Sequence, residues 1–257
     1  MCGSVRLGET QSRPEGFYGK MPSLNQYKES ENVSLAIFDL DNTLLQGDSD
    51  YLWGKFLVDQ GEVDGDTYEQ TNQKFYDDYK AGQLDIFAFL AFSLEPLTRI
   101  SAERLSALHS QYMEEVISPL ILPAAVELVE KHRQQGDTLL IITATNHFIT
   151  KPIATAFGID ELLATDPEMI DGRYTGKVSG TPCYKEGKVV RLEGWLKEND
   201  INLNGSWFYS DSHNDLPLLN RVTHPVAVNP DDVLRQQAET HGWSILDIHP
   251  ADVRDNP

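Results

Sequence analysis

Two aspartates separated by a single leucine, Asp39 and Asp41, form the strongest chemical signal in the sequence. They stand at the end of the apolar run 34–39, whose residues favour a buried strand. Alternate strand residues point to the same side, so the two negative charges would lie close together unless a cation joined them. Mg²⁺ prefers such oxygen ligands, and ligands of parallel sheets bind beyond the carboxyl ends of strands. The pair predicts a magnesium-binding active site, against the alternative of a turn with a helix-capping aspartate.

Three further groups stand near other predicted strand ends or helix starts. A second acidic pair, Asp211 and Asp215, follows the apolar run 205–210, and Lys188 opens a predicted helix. Small and hydroxyl residues stand at the end of the run 137–143 and directly after it, namely Thr143, Ala144, Thr145 and Asn146. Hydroxyls and free backbone N–H groups at a strand end can bind an anion. Singly, each group also fits a helix cap, a turn or a solvated lysine, but together they predict a metal and phosphate site.

Strand and helix patterns alternate along the chain and predict how these groups are brought together. Apolar residues follow the helical period in 123–136 and 188–198, and further short apolar runs lie at 224–228 and 244–248. Strands that alternate with helices predict an α/β fold with a doubly wound parallel sheet. In 168–180, an Asp-Gly pair between alternating residues predicts a β-hairpin.

The interval between the first two predicted strands is far too long for one crossover helix. Its apolar residues follow helical spacing, and two sets are expected to form a helix-bundle core: Tyr68, Phe75, Tyr76 and Tyr79, then Leu105, Leu108, Tyr112 and Val116. We therefore predict a helical cap at 46–122, inserted into a core domain of 31–45 and 123–257. Residues 1–30 show no helical or strand period and are predicted to be a disordered extension.

In chain order, the four groups resemble the four motifs of the haloacid dehalogenase (HAD) superfamily. The segment "IFDLDNTLL" around Asp39 is similar to the first motif, "IITATN" to the second, Lys188 in "EGKVVRL" to the third, and "YSDSHNDLP" to the fourth. The helical insert, "AIFDLDNTLLQGDSD" and "DGRYTG" resemble subfamily IB, the branch of phosphoserine phosphatases and histidinol-phosphatases. The resemblance implies a Rossmann-like core with a helical cap and a magnesium-dependent phosphatase activity.

The residues and the resemblance together assign a role to each group. Asp39 would attack phosphorus and form an aspartyl phosphate, while Asp41 would act as general acid and then general base. Thr143 and Lys188 would stabilise the phosphoryl oxygens. Mg²⁺ would be held by Asp39, Asp211, Asp215 and the backbone carbonyl of Asp41. The remaining candidates for contact with the substrate are Asp48, Ala144, Asn146 and Asn214.

The substrate is predicted to be a small phosphorylated metabolite with an amine, L-histidinol phosphate first and phosphoserine second. Asp48 lies nine residues after Asp39, where phosphoserine phosphatases carry an acidic residue that faces the substrate ammonium. Asp50 is a nearby alternative, and helix capping is the competing explanation for Asp48. Phosphoserine phosphatases usually carry Ser-Gly-Gly where this chain has "TAT" from position 143, which argues against phosphoserine. The carboxylate of phosphoserine would need an arginine as its binding partner, and Arg99 and Arg104 are the candidates.

Three other kinds of protein would carry a similar set of acidic, hydroxyl and lysine residues. A receiver domain has an acidic pocket, a hydroxyl and a lysine, but its phosphorylated aspartate ends the third strand, whereas Asp39 ends the first. A non-catalytic metal-binding scaffold would keep the same residues. A phosphomutase would also keep the site and differs only in transferring the phosphoryl group rather than hydrolysing it.

The composition limits the binding partners and the location that can be expected for the protein. The chain has 257 residues and a formal net charge of −19, a surface that repels nucleic acid and anionic membranes. No apolar run approaches the roughly 20 residues of a membrane span. Cys2 and Cys183 are the only cysteines in the sequence, so a reducing, cytoplasmic location is expected. We expect a monomer or a homodimer.

Overall fold

One sheet of seven strands runs through the part of the protein that the structure, a computed structural model, describes, which is residues 34–249. The predicted disordered segment 1–30 lies outside the described residues. The strands are β1 Leu35–Phe38, β2 Thr138–Asn146, β3 Glu161–Ile170, β4 Arg173–Ser179, β5 Trp207–Ser210, β6 His224–Val228 and β7 Ser244–Leu246. They stand in the order β4-β3-β2-β1-β5-β6-β7, and neighbours are parallel except β3 with β4. The predicted doubly wound, mostly parallel sheet is confirmed.

Residues of β1 alternate between two hydrophobic clusters, one on each face of the sheet. Ala36 and Phe38 belong to the cluster that includes residues of α6 Pro123–Gln134 and α7 His147–Ala156, together with residues of two helices from the interval between β1 and β2. Leu35 and Ile37 belong to the cluster that includes residues of three others, α8 Glu186–Asn199, α9 Leu216–Leu219 and α10 Asp232–His241. Because helices cover both faces, the polar site residues gather at the carboxyl edge of the sheet.

The first arm of the predicted hairpin is the end of a longer strand, β3, whose residues 161–167 the sequence patterns did not predict. The strand is fully buried only at 163–165, and its second half pairs with β4 alone. Asp166 and Pro167 obscure the strand pattern in the part that was not predicted. The predicted hairpin is confirmed, since Asp171 and Gly172 join β3 to β4 with φ of 49° and 75°, both in the left-handed region that two-residue hairpin turns need.

Helices fill most of the long interval between β1 and β2: α1 Ser49–Asp59, α2 Gly65–Lys80, α3 Ile86–Ser93, α4 Glu95–Arg99, α5 Ala102–Tyr112, a π-helical turn Met113–Ile117 and a 3₁₀ turn Ser118–Leu120. The predicted burial of Leu105, Leu108 and Tyr112 is confirmed. The division into a core domain and a cap at 46–122 stays a prediction. Every helix within residues 34–249 is too short or too polar to cross a bilayer.

The prediction that the aromatic residues of α2 form a bundle core is confirmed only in part, since the rings of Tyr68 and Phe75 pack on Phe92 and Phe89 of α3. All four aromatic residues of α2 are half-buried, and Phe75, Tyr76 and Tyr79 also line a pocket. Asn72 and Tyr68 lie on the side of α2 that packs closely on α1 at Gly54, where a Cβ atom would lie 2.6 Å from Nδ2 of Asn72. The other three aromatic residues are left to face the pocket.

Candidate active site

Asp39 follows β1 at the carboxyl edge of the sheet. Its backbone N–H donates to the Tyr209 carbonyl at 2.9 Å, which continues the pairing of β1 with β5. Lys188 Nζ donates to Oδ1 of Asp39 at 2.8 Å and to Oδ2 of Asp215 at 2.7 Å, and Ser210 Oγ donates to the same Asp215 oxygen at 2.7 Å. All three charged side chains are buried, so the lysine joins the predicted first and fourth motifs in one site.

The loop before α8 places Lys188 in this site. A Cβ atom at Gly187 would lie only 2.0 Å from the carbonyl oxygen of Pro182, so only glycine fits there without backbone movement. Lys185 has a φ of 48°, a left-handed conformation that is costly for lysine, and its Nζ donates to the Gly82 carbonyl at 2.8 Å. The start of α8 is therefore held both by its own loop and by the end of α2.

Thr43 lies between Asp39 and Asp211. Its Oγ1 is 3.4 Å from Oδ2 of Asp39 and 3.3 Å from Oδ1 of Asp211, and it accepts a hydrogen bond from the Asp211 N–H at 3.0 Å. Burial raises the pKa of Asp39 to about 7, although the Lys188 ammonium opposes the shift. Burial and the neighbouring carboxylates, Asp39 first, raise the pKa of Asp211 well above its ordinary value. The two carboxylates thus share one hydroxyl and repel each other's charge.

A separate set of donors orients Asp41. The Ser49 N–H donates to Oδ1 at 2.7 Å, and Oδ2 accepts from Thr145 Oγ1 at 2.8 Å and from Thr143 Oγ1 at 3.4 Å. These bonds tie the carboxylate to the first residue of α1 and to the end of β2. Asp41 therefore has a fixed orientation close to Asp39, as a general acid and base requires.

A narrow pocket leads from these aspartates towards α1, α2 and α3. Asp48 and Asp50 line it together with five aromatic residues, Tyr51, Phe75, Tyr76, Tyr79 and Phe89. Asp48 also caps α1, because its Oδ1 accepts from the N–H groups of Asp50 at 3.0 Å and Tyr51 at 2.8 Å. Burial raises the pKa of Asp48 to about 7, and the charge of Asp41 adds to the shift. The capping contact is thus present, and a substrate contact of Asp48 stays a prediction.

The pocket includes some of the predicted substrate-binding residues and leaves out others. Thr143 and Ala144 line it. Asn146 instead caps α7, with Oδ1 accepting from the Ile149 N–H at 3.3 Å, and Asn214 Nδ2 donates to the Tyr79 carbonyl at 3.1 Å. Neither asparagine is among the pocket residues, so no contact supports the predicted role of either.

A family model described as haloacid dehalogenase-like hydrolase matches residues 36–220. The chain belongs to the haloacid dehalogenase-like hydrolases. Within this family, the histidinol-phosphatase of Neisseria meningitidis serogroup C is 49% identical over 219 residues, which cover 84% of this chain and 99% of that protein. A phosphoserine phosphatase of Mycobacterium tuberculosis is 34% identical and covers 84% of this chain and 71% of its own. This hydrolase is a phosphoric monoester hydrolase of the phosphoserine phosphatase and histidinol-phosphatase branch.

Solved structures agree with the predicted HAD-like fold. A protein of unknown function from Bordetella pertussis Tohama I matches with a TM-score of 0.80 at 44% identity, over 84% of this chain and 99% of that one. A substrate-bound phosphoserine phosphatase complex matches with a TM-score of 0.63 at 18% identity, over 83% and 92% of the two chains. The second match shows a shared fold and no more.

The HAD-like hydrolase offers one place in the site that fits a magnesium ion. Asp39 and Asp211 face Thr43, and the raised pKa values of both carboxyl groups reflect burial and mutual repulsion, which a cation would relieve. Asp215 is already bonded to Lys188, and no three His, Cys, Asp or Glu side chains within residues 34–249 form a ready metal site. Two carboxylates, a backbone carbonyl and water form the oxygen set that Mg²⁺ accepts.

Three residues of the site were missed at the sequence level: Thr43, Ser210 and Gly187. The two hydroxyls lie inside the recognised motifs, but hydroxyls next to aspartates are common in turns and carry little signal alone. A glycine directly before the helix-opening lysine could have suggested a close backbone approach. Their roles depend on contacts between segments far apart in the chain, such as Thr43 with Asp211.

Proposed function

We propose that this phosphoric monoester hydrolase removes phosphate from L-histidinol phosphate, with Mg²⁺ bound and with an aspartyl phosphate formed on Asp39. The composition of the pocket carries the proposal, because Asp48 and Asp50 supply negative charge and its described lining includes aromatic rings but no arginine or lysine. Histidinol phosphate has an amine and an imidazole and no carboxylate, so it complements such a pocket. The similarity to the Neisseria histidinol-phosphatase supports the same substrate.

Phosphoserine is the second candidate and fits the pocket less well. Its carboxylate would face the carboxylates of the pocket without a cation beside it. The arginines considered as partners lie elsewhere, since Arg99 pairs with Glu95 at 3.2 Å and Arg104 pairs with Glu62 at 2.7 Å. Neither arginine lines the pocket.

The proposed reaction has two displacements at phosphorus. A carboxylate oxygen of Asp39 attacks, the ester P–O bond breaks, and Asp41 gives its proton to the leaving alkoxide. Asp41 then takes a proton from water, whose oxygen attacks the aspartyl phosphate, releases inorganic phosphate and restores Asp39. Lys188 Nζ, 2.8 Å from Oδ1 of Asp39, would stabilise negative charge on the transferred group, and Thr143, which lines the pocket with Asp39, would do the same.

Two further conditions belong to the proposal. Mg²⁺, held by Asp39, Asp211 and the Asp41 carbonyl with Asp215 beside them, would neutralise charge on the carboxylates and phosphate. The pocket has a volume of about 50 Å³, enough for a few water molecules and too small for the substrate. The helices over the pocket must therefore separate to admit substrate and close again to exclude bulk water.

Phosphate release measured with L-histidinol phosphate tests the proposal, with Mg²⁺ present, with Mg²⁺ chelated, and with Asp39→Asn as the control for contaminating phosphatase. We expect turnover that needs both the metal and Asp39. Full activity after exhaustive chelation would refute the role of Mg²⁺. The absence of activity on this substrate, with activity on another phosphate ester, would refute the substrate assignment and leave the phosphatase chemistry intact.

A further inference from the structure

Asp50 is the acidic residue of the pocket for which the protein provides no partner. It is the second residue of α1, its side chain lines the pocket, and the residue is 7% exposed. Among the described residues, no donor reaches its Oδ2. Burial, and then the charges of Asp48 and Asp41, raise the pKa of Asp50 well above its ordinary value. A buried carboxylate without a partner is costly, which suggests a ligand group that completes it.

Helix capping does not account for Asp50. Asp48, two residues earlier, is the residue whose side chain accepts the free N–H groups of α1. The position of Asp50 near the helix N-terminus favours a negative charge in general. Asp66, the second residue of α2, meets the same preference at an exposed position. Burial in the pocket is therefore the property that distinguishes Asp50.

The two acidic residues stand on either side of the first residue of α1. Asp48 precedes Ser49, whose N–H donates to Asp41, and Asp50 follows it, so Asp50 lies further along α1 from the capped end. The lining of the pocket also includes aromatic rings, with Tyr51 and Tyr76 centred 5.0 Å apart. A carboxylate in a pocket that also contains aromatic faces can recognise a cationic or strongly polarised N–H group.

We propose that Asp50 is a specificity-determining residue that binds a ring N–H group at the end of the substrate remote from phosphate. This inference rests on the proposed function, under which the ring is the imidazole of histidinol phosphate and the amine lies nearer to Asp48. The carboxylate also excludes an acidic group from that end of the pocket, because two anions would then face each other without a cation.

Three phosphate esters separate the possible roles of Asp50: L-histidinol phosphate, its analogue without the amine, and L-phenylalaninol phosphate, which keeps the amine and replaces imidazole by phenyl. Asp50→Asn should lower kcat/KM about 10- to 100-fold for the two imidazole esters, mainly through KM, and leave the phenyl ester within about 3-fold. Asp66→Asn, the control at the same helical position, should leave all three unchanged. The melting temperature of Asp50→Asn should not fall, since the change removes no hydrogen bond from Oδ2.

Equal losses on all three esters, or a loss only on the esters that carry the amine, would overturn the assignment to a ring N–H group. Calorimetric binding of L-histidinol, which has no phosphate, provides a readout that does not depend on turnover. Wild type and Asp66→Asn should bind it more tightly than Asp50→Asn does. Equal binding by all three proteins would refute the role of Asp50, whereas binding lost in Asp50→Asn without hydrolysis of histidinol phosphate would refute only the proposed reaction.

Discussion

The two ends of the site differ in how their acidic residues are partnered. We call the part around Asp39 and Asp41 the phosphate end, and the part around Asp48 and Asp50 the recognition end. At the phosphate end, Asp39 and Asp215 share Lys188, and Asp41 accepts three hydrogen bonds from neighbouring segments. At the recognition end, Oδ2 of Asp50 has no donor among the described residues. The phosphate end is therefore organised before the substrate arrives, whereas the recognition end is completed by it.

The difference indicates which part of the molecule sets the rate and which part selects the substrate. Preorganised charges stabilise a transition state because they need no rearrangement during the reaction. An unpartnered carboxylate in a narrow pocket discriminates between substrates, because only a ligand with a matching hydrogen-bond donor offsets the free-energy cost of burying the carboxylate. Substitutions at the phosphate end should lower turnover of every ester, and substitutions at the recognition end should change the ranking of esters.

The largest effect is expected for Asp39→Asn at the phosphate end. Loss of the nucleophile should reduce kcat by about 10⁴-fold or more for every phosphate ester, because no other carboxylate is held at that position. Lys188 keeps its bond to Asp215, so the variant should melt near the wild-type temperature. Steady-state kinetics together with thermal melting provide the check. Turnover at the wild-type rate on any ester would show that the nucleophile has been assigned to the wrong residue.

Gly187→Ala should have the next largest effect. The added Cβ would meet the Pro182 carbonyl oxygen at 2.0 Å, so the start of α8 must move and displace Lys188. A displacement near 1 Å at a catalytic group commonly costs about 100-fold in rate, and the loss should be similar for all esters. Gly194→Ala in the same helix meets no atom within 4 Å and serves as the matched control. Comparable activity in the two variants would remove the steric argument for Gly187.

Most of the phosphate end was predictable because its residues stand at strand ends. Asp39 and Asp211 directly follow buried strands, Thr143 lies in the second half of β2, and parallel strands bring such positions to one edge. The recognition end was less predictable, because it depends on how helices pack. The glycine contact at Gly54 turns the aromatic side of α2 towards the pocket, and no periodicity distinguishes that side from a bundle core. The first part of strand β3 was also not predicted, because Asp166 and Pro167 obscure its strand pattern.

Gly54→Ala should affect the recognition end more than the phosphate end. Its Cβ would lie 2.6 Å from Asn72 Nδ2 and 3.0 Å from the Tyr68 ring, which pushes α2 and its aromatic residues away from α1. We expect KM for histidinol phosphate to rise roughly 10-fold, the equivalent of one overpacked contact, with kcat largely kept. Gly65→Ala, whose Cβ would make an ordinary 3.4 Å contact with Val58, is the control. A fall in kcat without a change in KM would contradict the division between the two ends.

The smallest effect is expected at His109, which lies outside both ends. Burial lowers the pKa of His109, whose Nε2 lies 3.2 Å from the Ile149 carbonyl oxygen. As the pH falls below about 6.5, the unfolded chain binds a proton that the folded protein does not, so this residue makes folding less favourable. Thermal melting at about pH 7 and pH 5 should show a smaller decrease for His109→Gln than for wild type. An identical decrease in both proteins would show that His109 does not contribute.

The claim that one end of the site catalyses and the other selects the substrate has a direct test. It is the kcat/KM of the wild-type enzyme for L-histidinol phosphate and for L-phosphoserine, measured side by side with Mg²⁺. Both esters present the same phosphate to Asp39, Lys188 and Asp41, so a difference between them reports on the recognition end. We predict a preference of about 100-fold or more for histidinol phosphate, because phosphoserine brings a carboxylate to a pocket lined by Asp48 and Asp50. Equal values, or a preference for phosphoserine, would contradict the account.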